Sequence, residues 1–139
     1  MNTVYNWAMA SISSTWPGSV WAITLFVDDL AESREFYERL GATAVNEDDV
    51  SVVFTFGETL INLLQSSEAP ELISPVSVST KSAGTRAQYT ILVDDTDATY
   101  AQLTSRGITF LNGPIDRPWG PRTAAFQDPA GNVWELAQR

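Results

Sequence analysis

The chain contains no histidine and no cysteine. Those absences remove the usual general base near neutral pH, the commonest transition-metal ligand and every thiolate. Ser-His-Asp and Cys-His catalysis, disulfides and His- or Cys-based zinc sites are excluded by composition. What remains is the chemistry of carboxylates, amides, hydroxyls and aromatic rings. Seventeen acidic against 8 basic side chains give a formal charge of −9, with Lys81 the only lysine. A surface of that sign repels phosphate backbones and anionic headgroups, so neither nucleic acid nor membrane is an expected partner. It attracts cations, although acidity alone also serves solubility and speaks about a ligand only where a pocket accompanies it. A lone buried carboxylate can serve as a base or as a recognition group, and an aromatic ring can stack on a flat or cationic ligand. Trp119 is the ring most open to that use. It lies between Pro118 and Gly120 in a loop, where core packing is a poor explanation for it.

The elements that must position these groups come in two copies. A shift of 66 positions lays AITLFVDDLAESREFYERLGAT, from Ala22, over QYTILVDDTDATYAQLTSRGIT, from Gln88, with Thr24/Thr90, Val27/Val93, Asp28/Asp94, Asp29/Asp95, Gly41/Gly107 and Thr43/Thr109 identical. In each copy a β-branched apolar run predicts a strand. Asp29 and Asp95 then stand where a helix N-cap needs a carboxylate, and Gly41 and Gly107 where its end needs a left-handed residue. Leu30, Ser33, Phe36, Tyr37 and Leu40 form one face of the first helix; Tyr100 and Leu103 hold the corresponding face of the second. Three further strands are expected in each half: Thr43–Asn46, Ser51–Phe56 and Thr59–Leu64, then Thr109–Leu111, Arg122–Gln127 and Asn132–Ala137. The last strands also match, INLLQ (Ile61–Gln65) against WELAQ (Trp134–Gln138), at a shift of 73. The reading is an α+β domain of tandem βαβββ modules, 20–65 and 85–138, joined by a Ser- and Pro-rich linker, 66–84. Residues 1–19 form an uncharged extension.

This order, with VDDL leading into the first helix and DPAGN (Asp128–Asn132) before the last strand, resembles the vicinal-oxygen-chelate superfamily of glyoxalases, bleomycin-resistance proteins and extradiol dioxygenases. The stretch Pro118-Trp119-Gly120 followed by DPAGN is most similar to the bleomycin-resistance branch. The resemblance implies curved mixed sheets around a pocket. In metal-dependent members the ligands come from the first and last strands of each half, and those positions fall here on Ala22, Asn62, Gln88 and Glu135. Strand alternation agrees. Ala22, Thr24 and Phe26 share the mixed face of their strand and Gln88, Thr90 and Leu92 that of theirs, whereas Leu25 and Ile91 belong to the uniformly apolar faces suited to the helices. Alanine cannot ligate, and Asn62 and Gln88 are weak neutral donors, so Glu135 is the only strong one. One carboxylate falls short of the three or four N, S or carboxylate ligands a transition metal requires, and no metal or other cofactor is expected.

The function implied is capture of a small cationic or aromatic molecule, such as an antibiotic, without a metal. Its expected binding residues are Thr24, Phe26, Asn62, Gln88, Thr90, Trp119 and Glu135, with Phe54, Phe56 and Arg122 as further candidates. Core packing is the competing role for Phe54 and Phe56. Arg122 either pairs with Glu135 or closes the pocket, or equally serves the surface, and Glu135 either recognises the ligand or bonds to Gln88. The alternative is an enzyme of the same superfamily, a metal-independent isomerase, lyase or cyclase working through Glu135. The N-terminal stretch lacks the basic start and long apolar run of a signal peptide, and no segment is long enough to span a bilayer, so a cytoplasmic location is expected. The resemblance implies that two chains pair, and an apolar extension with Tyr5, Trp7 and Trp16 agrees with a homodimer.

Overall fold

Asp29 and Asp95 do cap helices. Their Oδ1 atoms accept from Glu32 N and Ala98 N, each at 3.0 Å. The computed structural model describes residues 17–138. Its order is β1 (Ala22–Val27), α1 (Leu30–Leu40), β2 (Thr43–Glu47), β3 (Ser51–Phe56), β4 (Thr59–Gln65), a one-turn helix α2 (Pro70–Ile73), β5 (Gln88–Leu92), α3 (Thr96–Ser105), β6 (Phe110–Asp116), β7 (Arg122–Gln127) and β8 (Val133–Gln138). Each half is a four-stranded mixed sheet, ordered β1-β4-β3-β2 and β5-β8-β7-β6. The first and last strands of each half pair in parallel, and the helix crosses from the first strand to the opposite edge of the sheet, from which the next two strands return antiparallel. Gly41 ends α1 at φ 96°, where its N–H bonds back to the last turn.

The chain divides into two compact units. One comprises Val20–Ala87 together with Gln127–Asn132; the other is built on Gln88–Phe126 with β8. The DPAGN turn therefore belongs with the first unit. Its Asp128, 2% exposed, accepts from Ala130 N and Asn132 N through Oδ1, and from Asn132 Nδ2 and the Tyr37 hydroxyl (2.6 Å) through Oδ2. Lys81 from the linker donates to Pro129 O at 3.0 Å. The linker itself carries α2 and two short 3-10 turns, Ser66–Glu68 and Lys81–Ala83, none of them expected from its Ser- and Pro-rich composition.

In the first unit Leu25, Val27, Phe36, Tyr37, Val52, Phe54, Ile61 and Leu63 are buried between sheet and helix. In the second unit Phe110 bridges Tyr100 and Phe126, with ring centroids 4.5 Å and 5.4 Å away. Leu25 is 3% exposed, but Ile91, its counterpart, is only half-buried. β6 begins one residue later than expected and runs to Asp116, because the Gly113-Pro114 pair that breaks the sequence pattern is absorbed by an edge strand with register shifts. Gly113 is required there. At φ 91° a Cβ would lie 2.4 Å from Thr123 O.

Candidate functional site

The matching glutamines at the ends of INLLQ and WELAQ fix which sheet face is which. Gln65 Oε1 accepts from Leu30 N at 3.2 Å, and Gln138 Oε1 accepts from Thr96 N at 2.8 Å. Each closes an orphan N–H in the first turn of its helix. Gln65 therefore shares its face with Leu63 and Ile61, and Gln138 with Leu136 and Trp134. Asn62 and Glu135 point to the opposite, helix-free faces.

On the first sheet Thr24 stands in register with Asn62, and Asn62 Nδ2 donates to Thr24 Oγ1 at 3.3 Å. The Asn62 carbonyl oxygen is buried without a partner. Phe26, half-buried, follows on the same strand face, and Ala22 is exposed at the strand start. A cavity of about 480 Å³ in this unit lies elsewhere, at the start of α1, among Asp28, Asp29, Arg34, Asp48 and Asp49. Asp48 is held below the ordinary aspartate value there, first by the Val50 N–H and then by Ser51.

On the second sheet the equivalent pair is Thr90 and Glu135. They are in register, and Thr90 Oγ1 donates to Glu135 Oε1 at 3.0 Å. Glu135 is 5% exposed and, among the described residues, belongs to no ion pair. Gln88 is not its partner. It is exposed and pairs in register with Val133, so the expected Gln88–Glu135 bond gives way to the threonine.

Three of the sequence-derived candidates lie away from these faces. Phe54 is fully buried with its ring 5.8 Å from Tyr37, and Phe56 packs edge-on to the same ring at 6.3 Å, so both belong to the helix-backed core. Arg122 neither meets Glu135 nor closes a pocket. Its Nε and Nη2 grip both oxygens of Asp97 on α3 at 2.7 and 3.0 Å, and its Nη1 reaches Asp116 at 3.0 Å. That fork holds Asp97 below the ordinary aspartate value. Trp119 is half-buried rather than an open ring, with the Arg117 guanidinium carbon 5.9 Å from its centroid.

Arg117 was missed from sequence, although it abuts the Pro118-Trp119-Gly120 motif. Its Nε donates to Thr123 Oγ1 at 2.9 Å and its Nη2 to Asn112 Oδ1 at 3.1 Å. Asn112 is in register with Ala125. Phe126 and Arg122 face α3, so Thr123 and Ala125 lie on the Glu135 side of the sheet. Arg117 is thereby held to the same face as Glu135.

A divalent metal does not fit the four family positions. Ala22 has no donor atom, Gln88 is an exposed neutral amide in register with Val133 rather than Glu135, and Asn62 offers only a neutral amide oxygen. Among the described residues no group of three or more His, Cys, Asp or Glu side chains could hold a metal ion. One carboxylate and neutral amides do not meet the requirement of such ions.

The chain belongs to the glyoxalase/bleomycin resistance protein/dioxygenase superfamily, whose family model matches residues 20–136. It is 34% identical over 122 residues to uncharacterized protein YraH of Bacillus subtilis (strain 168), covering 82% of this chain and 93% of that one. Its fold is similar to a glyoxalase/bleomycin resistance protein/dioxygenase from Nocardioides, with a TM-score of 0.78, 24% identity and coverage of 98% and 91% of the two chains. It is also similar to a lactoylglutathione lyase from Agrobacterium tumefaciens, with a TM-score of 0.71, 20% identity and coverage of 88% and 94%. Among the described residues no helix is long and apolar enough to cross a membrane.

Proposed function

We propose that this protein binds a small cationic, aromatic molecule without the help of a metal, in the manner of the drug-sequestering members of its superfamily. The observation that carries the reading is Glu135, a carboxylate 5% exposed whose one hydrogen bond among the described residues is from Thr90. A buried carboxylate with one hydroxyl donor and no counter-charge is costly to maintain. A ligand cation offsets that cost, and the net charge of −9 favours its approach. On the second sheet Thr90 and Glu135 supply polar contacts and Trp119 an aromatic one, and the exposed Gln88 has no part in the contact with Glu135.

The test is a thermal-shift screen of cationic and neutral aromatic compounds, followed by calorimetric titration of the hits. Glu135→Gln keeps shape and removes charge. It should weaken a cationic ligand by about 1–3 kcal/mol and spare a neutral analogue. Equal binding of the cation by parent and variant would sink the reading. The same buried carboxylate also suits a general base for metal-independent isomerisation, the enzyme reading. That second reading takes over if Glu135→Gln abolishes turnover of a bound compound while leaving its affinity intact.

We further take the protein to work in the cytoplasm as a homodimer. Trp21, 74% exposed beside Val20 at 69%, supports an apolar contact surface, while Tyr5, Trp7 and Trp16 lie outside the described residues. Sedimentation showing a single 15.2 kDa species at micromolar concentration would contradict the dimer.

A further inference from the structure

We propose that the helix-free face of the second sheet recognises a zwitterion, with Glu135 taking its cationic nitrogen and Arg117 its carboxylate or other anionic group. The proposal rests on the reading of Glu135 as a cation-binding carboxylate and adds a second, oppositely charged subsite to it.

Arg117 differs from the two other arginines whose ion pairs the structure defines. Arg34 bridges Glu38 and Glu47, and Arg122 bridges Asp97 and Asp116. Arg117 is half-buried, yet its hydrogen-bond partners are the neutral oxygens of Thr123 and Asn112, and it enters no ion pair among the described residues. A guanidinium carries five N–H donors in a planar fork suited to a carboxylate or phosphate. Two neutral acceptors orient that fork without neutralising it. Thr123, which holds it, is itself 1% exposed, so the guanidinium is anchored to the sheet rather than to a surface side chain.

Glu135 and the threonine that holds Arg117 are neighbours on one face. β7 and β8 are adjacent in the sheet, and Asp128 N bonded to Asn132 O at 2.9 Å closes their hairpin. Counting outward from that bond along regular strands makes Thr123 and Glu135 diagonal neighbours, about 7–8 Å apart. Among the described residues neither the buried carboxylate nor the anchored guanidinium has an ion-pair partner, and the two are held on one face within reach of one small molecule. The ligand class that satisfies both is an amine or guanidine with an acidic group a few bonds away.

Calorimetric titration with three probes of one carbon skeleton separates the subsites: phenethylamine (cation only), 3-phenylpropionate (anion only) and phenylalanine (both). The expected result is that phenylalanine binds the parent at least roughly tenfold more tightly than phenethylamine, the size of one charge-assisted bond. Arg117→Gln should remove that advantage and leave phenethylamine unchanged. Arg117→Lys, which keeps the charge without the fork, should retain part of it and provides a second variant if the first folds poorly. Phenylalanine binding no more tightly than phenethylamine would overturn the Arg117 subsite while the Glu135 reading stands. Phenethylamine binding that Glu135→Gln leaves intact would overturn the Glu135 reading. An Arg117→Gln variant that melts lower and loses all three probes equally would make Arg117 a structural brace and end the proposal. Binding of none of the probes would end both.

Discussion

Tyr37→Phe isolates one bond that the structure makes unusually consequential. The Tyr37 hydroxyl is fully buried and donates to Asp128 Oδ2 at 2.6 Å, linking α1 to the turn between β7 and β8. The ring itself packs against Phe36, Phe54 and Phe56, with centroids at 5.4, 5.8 and 6.3 Å, and phenylalanine would keep those contacts. The substitution therefore removes the charge-assisted hydrogen bond to Asp128 while keeping the ring. Such a bond contributes about 1.5–3 kcal/mol, and the three donors left to Asp128 from Ala130 and Asn132 limit the loss to about 2 kcal/mol. For a chain of this length that corresponds to a fall of about 6–8 °C in Tm. Asp128→Ala should cost more, about 3–5 kcal/mol, because it orphans the buried hydroxyl and the two turn amides together. Urea denaturation of both variants and of the double variant forms a thermodynamic cycle, with an expected coupling of about 1–2 kcal/mol. A Tyr37→Phe protein within about 0.5 kcal/mol of the parent, or strictly additive losses, would refute the bond's role.

Leu25→Ala should cost about 2–5 kcal/mol in the same assay, because Leu25 is 3% exposed between sheet and helix. Phe54→Ala should be among the most damaging core changes at about 3–5 kcal/mol, whereas Phe26→Ala on the other face should cost clearly less. Asp48 and Asp97 have folded-state pKa values lowered from 3.8, so their contributions to stability are complete above the unfolded value and fade as pH falls through the folded ones. NMR titration should therefore give carboxyl midpoints below 3.8 for both, and Arg122→Ala should move Asp97 alone back towards it. The purified protein should carry no stoichiometric zinc, nickel or iron after dialysis, and elemental analysis finding one such ion per chain would refute the donor-set argument.

The elements were legible because their signals are local. Two copies of a β-branched strand, an aspartate cap, an amphipathic helix and a closing glycine each fold by short-range rules, and β3 (Ser51–Phe56) and β7 (Arg122–Gln127) fall on their expected residues. Alternation along the strands also placed Asn62 and Glu135 on the faces away from the helices, because that parity is a property of any regular strand. The course of β6 was less legible, since Gly113-Pro114 reads as a break until an edge strand is there to accommodate it.

Tertiary structure alone decided which side chains meet. DPAGN read as an efficient turn, and nothing in those five residues says that Asp128 lies 91 positions from the tyrosine that anchors it. Core packing was the favoured role of Phe54 and Phe56, and the sheet is what turns both towards Tyr37. Arg122 was taken from Glu135 by Asp97 and Asp116, and Arg117 is held to the Glu135 face of the sheet through Thr123. Sequence fixes residue types and periodicity, which are local. Whether a charge is neutralised within the chain or left for a ligand depends on partners brought together by chain crossings, and no pattern along the chain encodes those distances.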